Sequence, residues 1–279
     1  FEQVVGSQSD DVLSGTTGDD VLSGEGGNDT LRPRIGTDKV SGGTGTDALD
    51  LSALVVDIGV TVDLAAATVE GPGISVDMTD TTPEGLIDRT VETVIGTADD
   101  DIFLSPLETD RLEGRGGNDV FRSATPAPTF DGGAGVDTVD LSPSTSTSGE
   151  RINLGAAAVG SILPTTNFIA VEKVVGTDGN DTLLGSAGDD SLLGGKGDDI
   201  VQGFGGNDTL DGGEGLDTLS YTGVVGVLGV TVNLGLVTAQ NTGAAGTDTL
   251  SNFEDLLGTN QSDTLIGTAV ANLIVGNNG

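Results

Sequence analysis

The sequence predicts an all-β chain in which short parallel strands stack into a solenoid. Three observations lead there: a strict nine-residue period, Gly and Asp at fixed places within it, and an apolar residue at one further place. The stretch GGKGDDIVQGFGGNDTLDGGEGLDTLS (194–220) shows all three, with Val201, Leu210 and Leu219 nine residues apart.

From Gly176 five blocks follow without a gap: GTDGNDTLL, GSAGDDSLL, GGKGDDIVQ, GFGGNDTLD and GGEGLDTLS. Their sixth residues are Asp181, Asp190, Asp199, Asp208 and Asp217, and their eighth are Leu183, Leu192, Val201, Leu210 and Leu219. An array of five from Gly6 carries Asp11, Asp20, Asp29, Asp38 and Asp47 in the sixth place. A third from Gly96 carries Asp101, Asp110, Asp119 and Asp137, with Pro128 where its fourth block should have Asp. A fourth opens at Gly258 with Asp263 and then Asn272.

The unit has a physical reading. Six residues rich in Gly and Asp form a turn, because Gly tolerates positive φ and Asp closes turns with its side chain. Three residues form a short strand whose middle side chain points inward. Two units close one 18-residue coil, and coils stack with parallel strands ~4.8 Å apart. Turns then lie over turns, and their aspartates form columns that repel unless a cation sits between them. Carboxylates and turn carbonyls make the all-oxygen cage that a hard cation such as calcium takes. An isolated aspartate of this kind would read as a turn-closing residue; fifteen in phase favour a metal role.

The blocks resemble the calcium-binding nonapeptide repeats of RTX proteins, G-G-x-G-x-D-x-U-x. The resemblance implies a right-handed parallel β-roll in a bacterial secreted protein, with calcium held by the sixth-position aspartates and turn carbonyls. It departs at Pro128 and Asn272, and turn glycines are missing at Pro33 and Ser105.

Composition narrows the function. The formal charge is −34 from 44 acids and 10 bases, which argues against nucleic acid and anionic membranes as partners. Asp outnumbers Glu by 33 to 11, as expected where carboxylates are held close to the backbone. The chain has no Cys, His or Trp, which removes Cys nucleophiles, His bases and the usual zinc ligands. No run of 18 apolar residues exists, so no membrane span is expected.

A longer period encloses the arrays. FEQVVG (1–6), VETVIG (91–96), VEKVVG (171–176) and FEDLLG (253–258) each stand before one, placing Glu2, Glu92, Glu172 and Glu254 as array-entrance ligands or salt-bridge partners. The modules are 1–90, 91–170 and 171–252, with the start of a fourth at 253–279, expected to form one continuous solenoid. Between arrays, alternation in GVTVDL (59–64), ERINL (150–154) and GVTVNL (229–234) predicts strands that continue the core without calcium. EGPGISVDMTDTTPEG (70–85) and SPSTSTSGE (142–150) read as loops, and no helix is expected; Gly59 and Val-rich alternation make 54–70 strand.

No catalytic residues are assigned, because calcium accounts for the repeated carboxylates. Threonines in seventh places (Thr182, Thr209, Thr218, Thr264) could make a ladder for ice or sugar, but Ser191 and Ile200 interrupt it. The expectation is a calcium-stabilised extracellular structural protein, such as a fibre, surface-layer or adhesin-stalk element at a bacterial cell surface. The alternative is the calcium-dependent folding and export module of a larger secreted enzyme or toxin. Pairing the first block with the third, the second with the fourth and the third with the fifth predicts about eight or nine ions. Asp199 is expected to matter more than Asp217, since its turn lies between two others. The abrupt fourth array suggests end-to-end self-association into fibres.

Overall fold

The computed structural model describes residues 2–54, 59–81, 87–155, 167–224 and 228–278. Among these there is no helix, and most strand pairs are parallel. The chain is an all-β parallel roll. Two compact units, Phe1–Thr138 and Val139–Gly279, are taken in turn.

In the first unit, alternate blocks go to alternate sheets. Glu2–Val5, Asp20–Ser23 and Gly36–Ser41 pair in one, with Glu2 opposite Asp20 and Val21 opposite Lys39. Val12–Ser14, Thr30–Arg32 and Ala48–Asp50 pair in the other, with Val12 opposite Thr30 and Thr30 opposite Ala48. Each partner lies 18 residues on, the length of one coil. The second array repeats this, with Ile102 opposite Val120 and Thr93, Arg111 and Thr129 in one row.

The apolar eighth residues form the core. Leu22, Leu31, Leu49, Phe103, Leu112, Phe121 and Phe130 are fully buried. Phe103 and Phe121, one coil apart, stack with centroids 4.9 Å apart and planes at 11°, and Phe130 tilts against Phe121 at 5.6 Å.

The connector departs from the expected parallel continuation. Thr61–Asp63, Thr68–Gly71 and Ile74–Asp77 form an antiparallel meander, because four residues cannot carry a parallel crossover. Its outer strands still pair in parallel with the arrays, Ile74 opposite Gly36 and Thr61 opposite Ile102. The segment 70–85, expected as loop, contains the strands Ile74–Asp77 and Thr79–Thr81; 55–58 and 82–86 lie outside the described residues.

In the second unit, Lys173–Val175, Ser191–Lys196, Thr209–Glu214 and Gly246–Ser251 pair in parallel. Arg151–Asn153, Thr182–Leu184, Ile200–Gln202, Thr218–Ser220, Asp255–Leu257 and Ile274–Val275 make the second sheet. Gln240–Gly243 folds back antiparallel on Gly246–Ser251. Thr231–Asn233 pairs with Thr264–Ile266 of the fourth array.

Candidate calcium centre

Each turn carries its sixth-position aspartate inward. Thirteen of the fifteen are buried, while Asp11 and Asp263 are half-buried. Within an array they form columns held by backbone hydrogen bonds. Asp11 N–H donates to Asp29 Oδ1 at 2.8 Å, and Asp29 N–H to Asp47 Oδ1 at 2.7 Å. Asp101 N–H donates to Asp119 Oδ1, which is followed in the same way by Asp137. Asp181 leads to Asp199 and Asp199 to Asp217.

The columns run past the arrays. Asp47 N–H donates to Glu92 Oε2 at 2.8 Å and Asp217 N–H to Glu254 Oε2 at 3.0 Å. These two glutamates thus take the place of the next aspartate. Asp208 N–H donates to Asp248 Oδ1 at 3.2 Å, and Asp248 Oδ2 accepts from Tyr221 Oη and Thr242 Oγ1. The sequence reading missed Asp248. Its signal is the spacing Gly246, Asp248, Leu250, which matches the fourth, sixth and eighth places of a block.

The other carboxylate oxygen separates the aspartates into two groups. In one, Oδ2 accepts the N–H of its own turn: Asp20 from Thr16, Asp101 from Thr97, Asp181 from Thr177 and Asp190 from Ser186, each at 2.6 Å. Asp11, Asp110 and Asp263 are closed likewise by Ser7, Leu107 and Thr259. In the other, Oδ2 is buried and has no hydrogen-bond partner: Asp29, Asp38 and Asp47; Asp119 and Asp137; Asp199, Asp208 and Asp217. The backbone changes in step. The second residue of those eight blocks has positive φ: Glu25, Arg34 and Gly43; Arg115 and Gly133; Gly195, Phe204 and Gly213.

An orphaned, buried carboxylate oxygen costs free energy unless something replaces its water. Burial pushes Asp119, Asp199 and Asp208 up to about 7 and Asp38 to about 6, with neighbouring aspartates adding to the rise. In seven of these eight blocks the cradle around the oxygen is open because the block begins with Gly; the Asp38 block begins with Pro33 instead. A Cβ on Gly24 would lie 2.1 Å from Asp29 Oδ2 and 2.4 Å from the Gly42 carbonyl oxygen. A Cβ on Gly194 would lie 2.2 Å from both Asp199 Oδ2 and the Gly212 carbonyl oxygen. Among the described residues no three acidic side chains cluster as a metal site. The donor set is therefore mixed, a carboxylate beside carbonyls of the next coil. Such oxygen donors fit calcium, which when bound supplies the positive charge that they lack.

A second column, not foreseen from the sequence, lies at the fifth positions. Asn118 N–H donates to Asp100 Oδ1, and Asn118 Oδ1 accepts Val136 N–H. Asn180, Asp198 and Leu216 repeat it. Asp10, Asn28 and Thr46 do the same in the first array, and the columns end at Thr46, Val136 and Leu216, which have no Asx side chain to offer a further coil. Part of the preference for short Asp and Asn serves these backbone bonds.

The family model described as RTX calcium-binding nonapeptide repeat (4 copies) matches residues 5–40, 107–123, 172–201, 185–219 and 257–279. The chain carries RTX calcium-binding nonapeptide repeats. Calcium binding follows from them. No curated protein matches the RTX chain. Among solved structures, it is similar to the extracellular lipase LipA from Serratia marcescens, at 18% identity and a TM-score of 0.23. The match covers 89% of this chain, which spans 37% of the length of that one. Among the described residues no helix is long and apolar enough to cross a membrane.

Proposed function

We propose that this RTX chain is a calcium-stabilised structural element that works outside the cell, where calcium is plentiful, and is not itself catalytic. One observation carries the reading: among the described residues, eight buried aspartate oxygens stand without a hydrogen-bond partner, in phase with the repeat. Left bare, those carboxylates oppose stacking; coordinated, they tie coil to coil. Folding is then linked to calcium, as binding free energy becomes folding free energy. With extracellular calcium modules binding at about 10⁻⁴–10⁻³ M, the chain stays unfolded at cytoplasmic calcium and folds after export.

Eight orphaned oxygens support about eight ions, the lower of the two numbers that block pairing predicts. Metal analysis and circular dichroism test the reading together. Excess chelator at neutral pH should remove most of the β spectrum, and calcium should restore it. Magnesium should do so poorly, because it demands a tighter octahedral shell. An unchanged spectrum in chelator, or two bound ions or fewer, overturns the proposal. End-to-end self-association is a separate part of it; light scattering that stays monomeric in millimolar calcium would remove that part alone.

A further inference from the structure

Each array opens on one coil whose two turns close themselves. The aspartates concerned are Asp11 and Asp20, Asp101 and Asp110, and Asp181 and Asp190. Where the second residue is Ser or Thr, its hydroxyl also accepts the N–H two residues on, as Thr177 does from Gly179 and Ser186 from Gly188. The Thr177 hydroxyl then donates to Asp181. Such a turn has satisfied its carboxylate with its own groups. From the third block onward, wherever Asp stands in the sixth place, the second residue takes positive φ and its N–H no longer reaches the carboxylate. All eight aspartates with an orphaned Oδ2 follow a second residue of positive φ, and no closed one does; in the Asp110 block positive φ falls on the first residue, Ser105.

The fourth array holds a comparison within the chain. Asn272 stands in the sixth place, and its Oδ1 accepts Thr268 N–H at 2.7 Å. A neutral amide suffices where the turn closes itself. Thr resists positive φ because its branched Cβ crowds the backbone there, whereas Gly does not.

We infer that the second residue of each block selects between a calcium turn and a metal-independent turn. The first coil of each array is then held without calcium and templates the ion-binding coils that follow. The inference rests on the calcium reading above and adds where in each array the ions go. An ion at a self-closed aspartate would have to break the hydrogen bond from its own turn, while the Oδ2 of an orphaned one has none to break.

Two pairs of variants test it by calcium stoichiometry, with circular dichroism in saturating calcium to establish folding. Arg115 is exposed, with φ of +78°. Arg115→Gly keeps that backbone and should bind as many ions as the unsubstituted chain; Arg115→Thr should bind one fewer. Asp190→Asn should keep the full number, because an amide still accepts Ser186 N–H. Asp208→Asn should lose one ion. A full complement in Arg115→Thr, or equal loss from Asp190→Asn and Asp208→Asn, overturns the inference while leaving the calcium reading intact. An unsubstituted chain that binds no calcium brings down both.

Discussion

The backbone N–H of Asp217 donates to Glu254 Oε2 at 3.0 Å, across 37 positions of sequence. The turn of Asp217, last in its array, is therefore not last in the stack. The sequence placed Asp199 between two turns and Asp217 at an end; the structure gives both a following carboxylate. Asp199→Ala and Asp217→Ala should accordingly cost similar stability in saturating calcium. Glu254→Ala strands a buried N–H and should cost about 1–3 kcal/mol, while Glu254→Gln keeps an acceptor oxygen and should recover most of it. Urea titrations of the four variants decide. A Glu254→Ala cost below about 0.5 kcal/mol would deny the glutamate its place in the column.

Acid should stabilise the calcium-free chain. Folding raises Asp119, Asp199 and Asp208 to about 7, well above the ~3.9 of an unfolded aspartate. Between those values the folded state binds more protons than the unfolded one, so stability falls as pH rises. The loss begins near pH 4 and is complete above about pH 7. In chelator, the β signal in circular dichroism should be stronger at pH 5 than at pH 8. Calcium must displace those protons, so its affinity should rise with pH to about 7 and level off above it. A calcium-free β signal that grows from pH 5 to pH 8 would contradict the burial of these groups as unpaired carboxylates.

The nine-residue period made the core legible, because whether an eighth residue points inward is settled within its own strand. Leu31, Phe121 and Leu210 are all fully buried as that pattern requires. The columns of Asp29, Asp119 and Asp199 were legible for the same reason. Glu254 and Asp248 were not, since their places depend on how a connector of some thirty residues returns to register. The meander of 61–77 was hidden too: alternation marks a strand but not the direction of its partner. Position two was visible as Ser or Thr in some blocks and Gly, Glu, Arg or Phe in others. Its meaning lies in a backbone angle that letters alone do not carry.

The stacked phenylalanines of the second array should be its most sensitive core position. Phe121 lies between Phe103 and Phe130 and is fully buried. Phe121→Ala should cost about 3–5 kcal/mol, and Phe121→Leu markedly less, since Leu fills the eighth place in most other blocks. Thermal unfolding in saturating calcium measures both. Equal costs would mean that aromatic stacking, not volume, holds this coil.

Asp198 offers a way to separate the charge of the turn from its hydrogen bonding. Its Oδ1 accepts Leu216 N–H at 2.9 Å, and its charge helps to raise both Asp199 and Asp217. Asp198→Asn keeps the acceptor and removes the charge. Without calcium, the repulsion on the two buried carboxylates falls, so more β signal should survive in chelator at pH 8. With calcium, one negative charge near the site is lost, so affinity should drop modestly. The stabilisation gained on adding calcium should thus shrink from both sides. Asp198→Ala removes the same charge and also the acceptor; Leu216 N–H is exposed and turns to water, at about 0.5–1 kcal/mol. The difference between the two variants then isolates the hydrogen bond, and their shared shift isolates the charge. If Asp198→Asn instead lowers calcium-free stability, repulsion within the turns is not what calcium relieves.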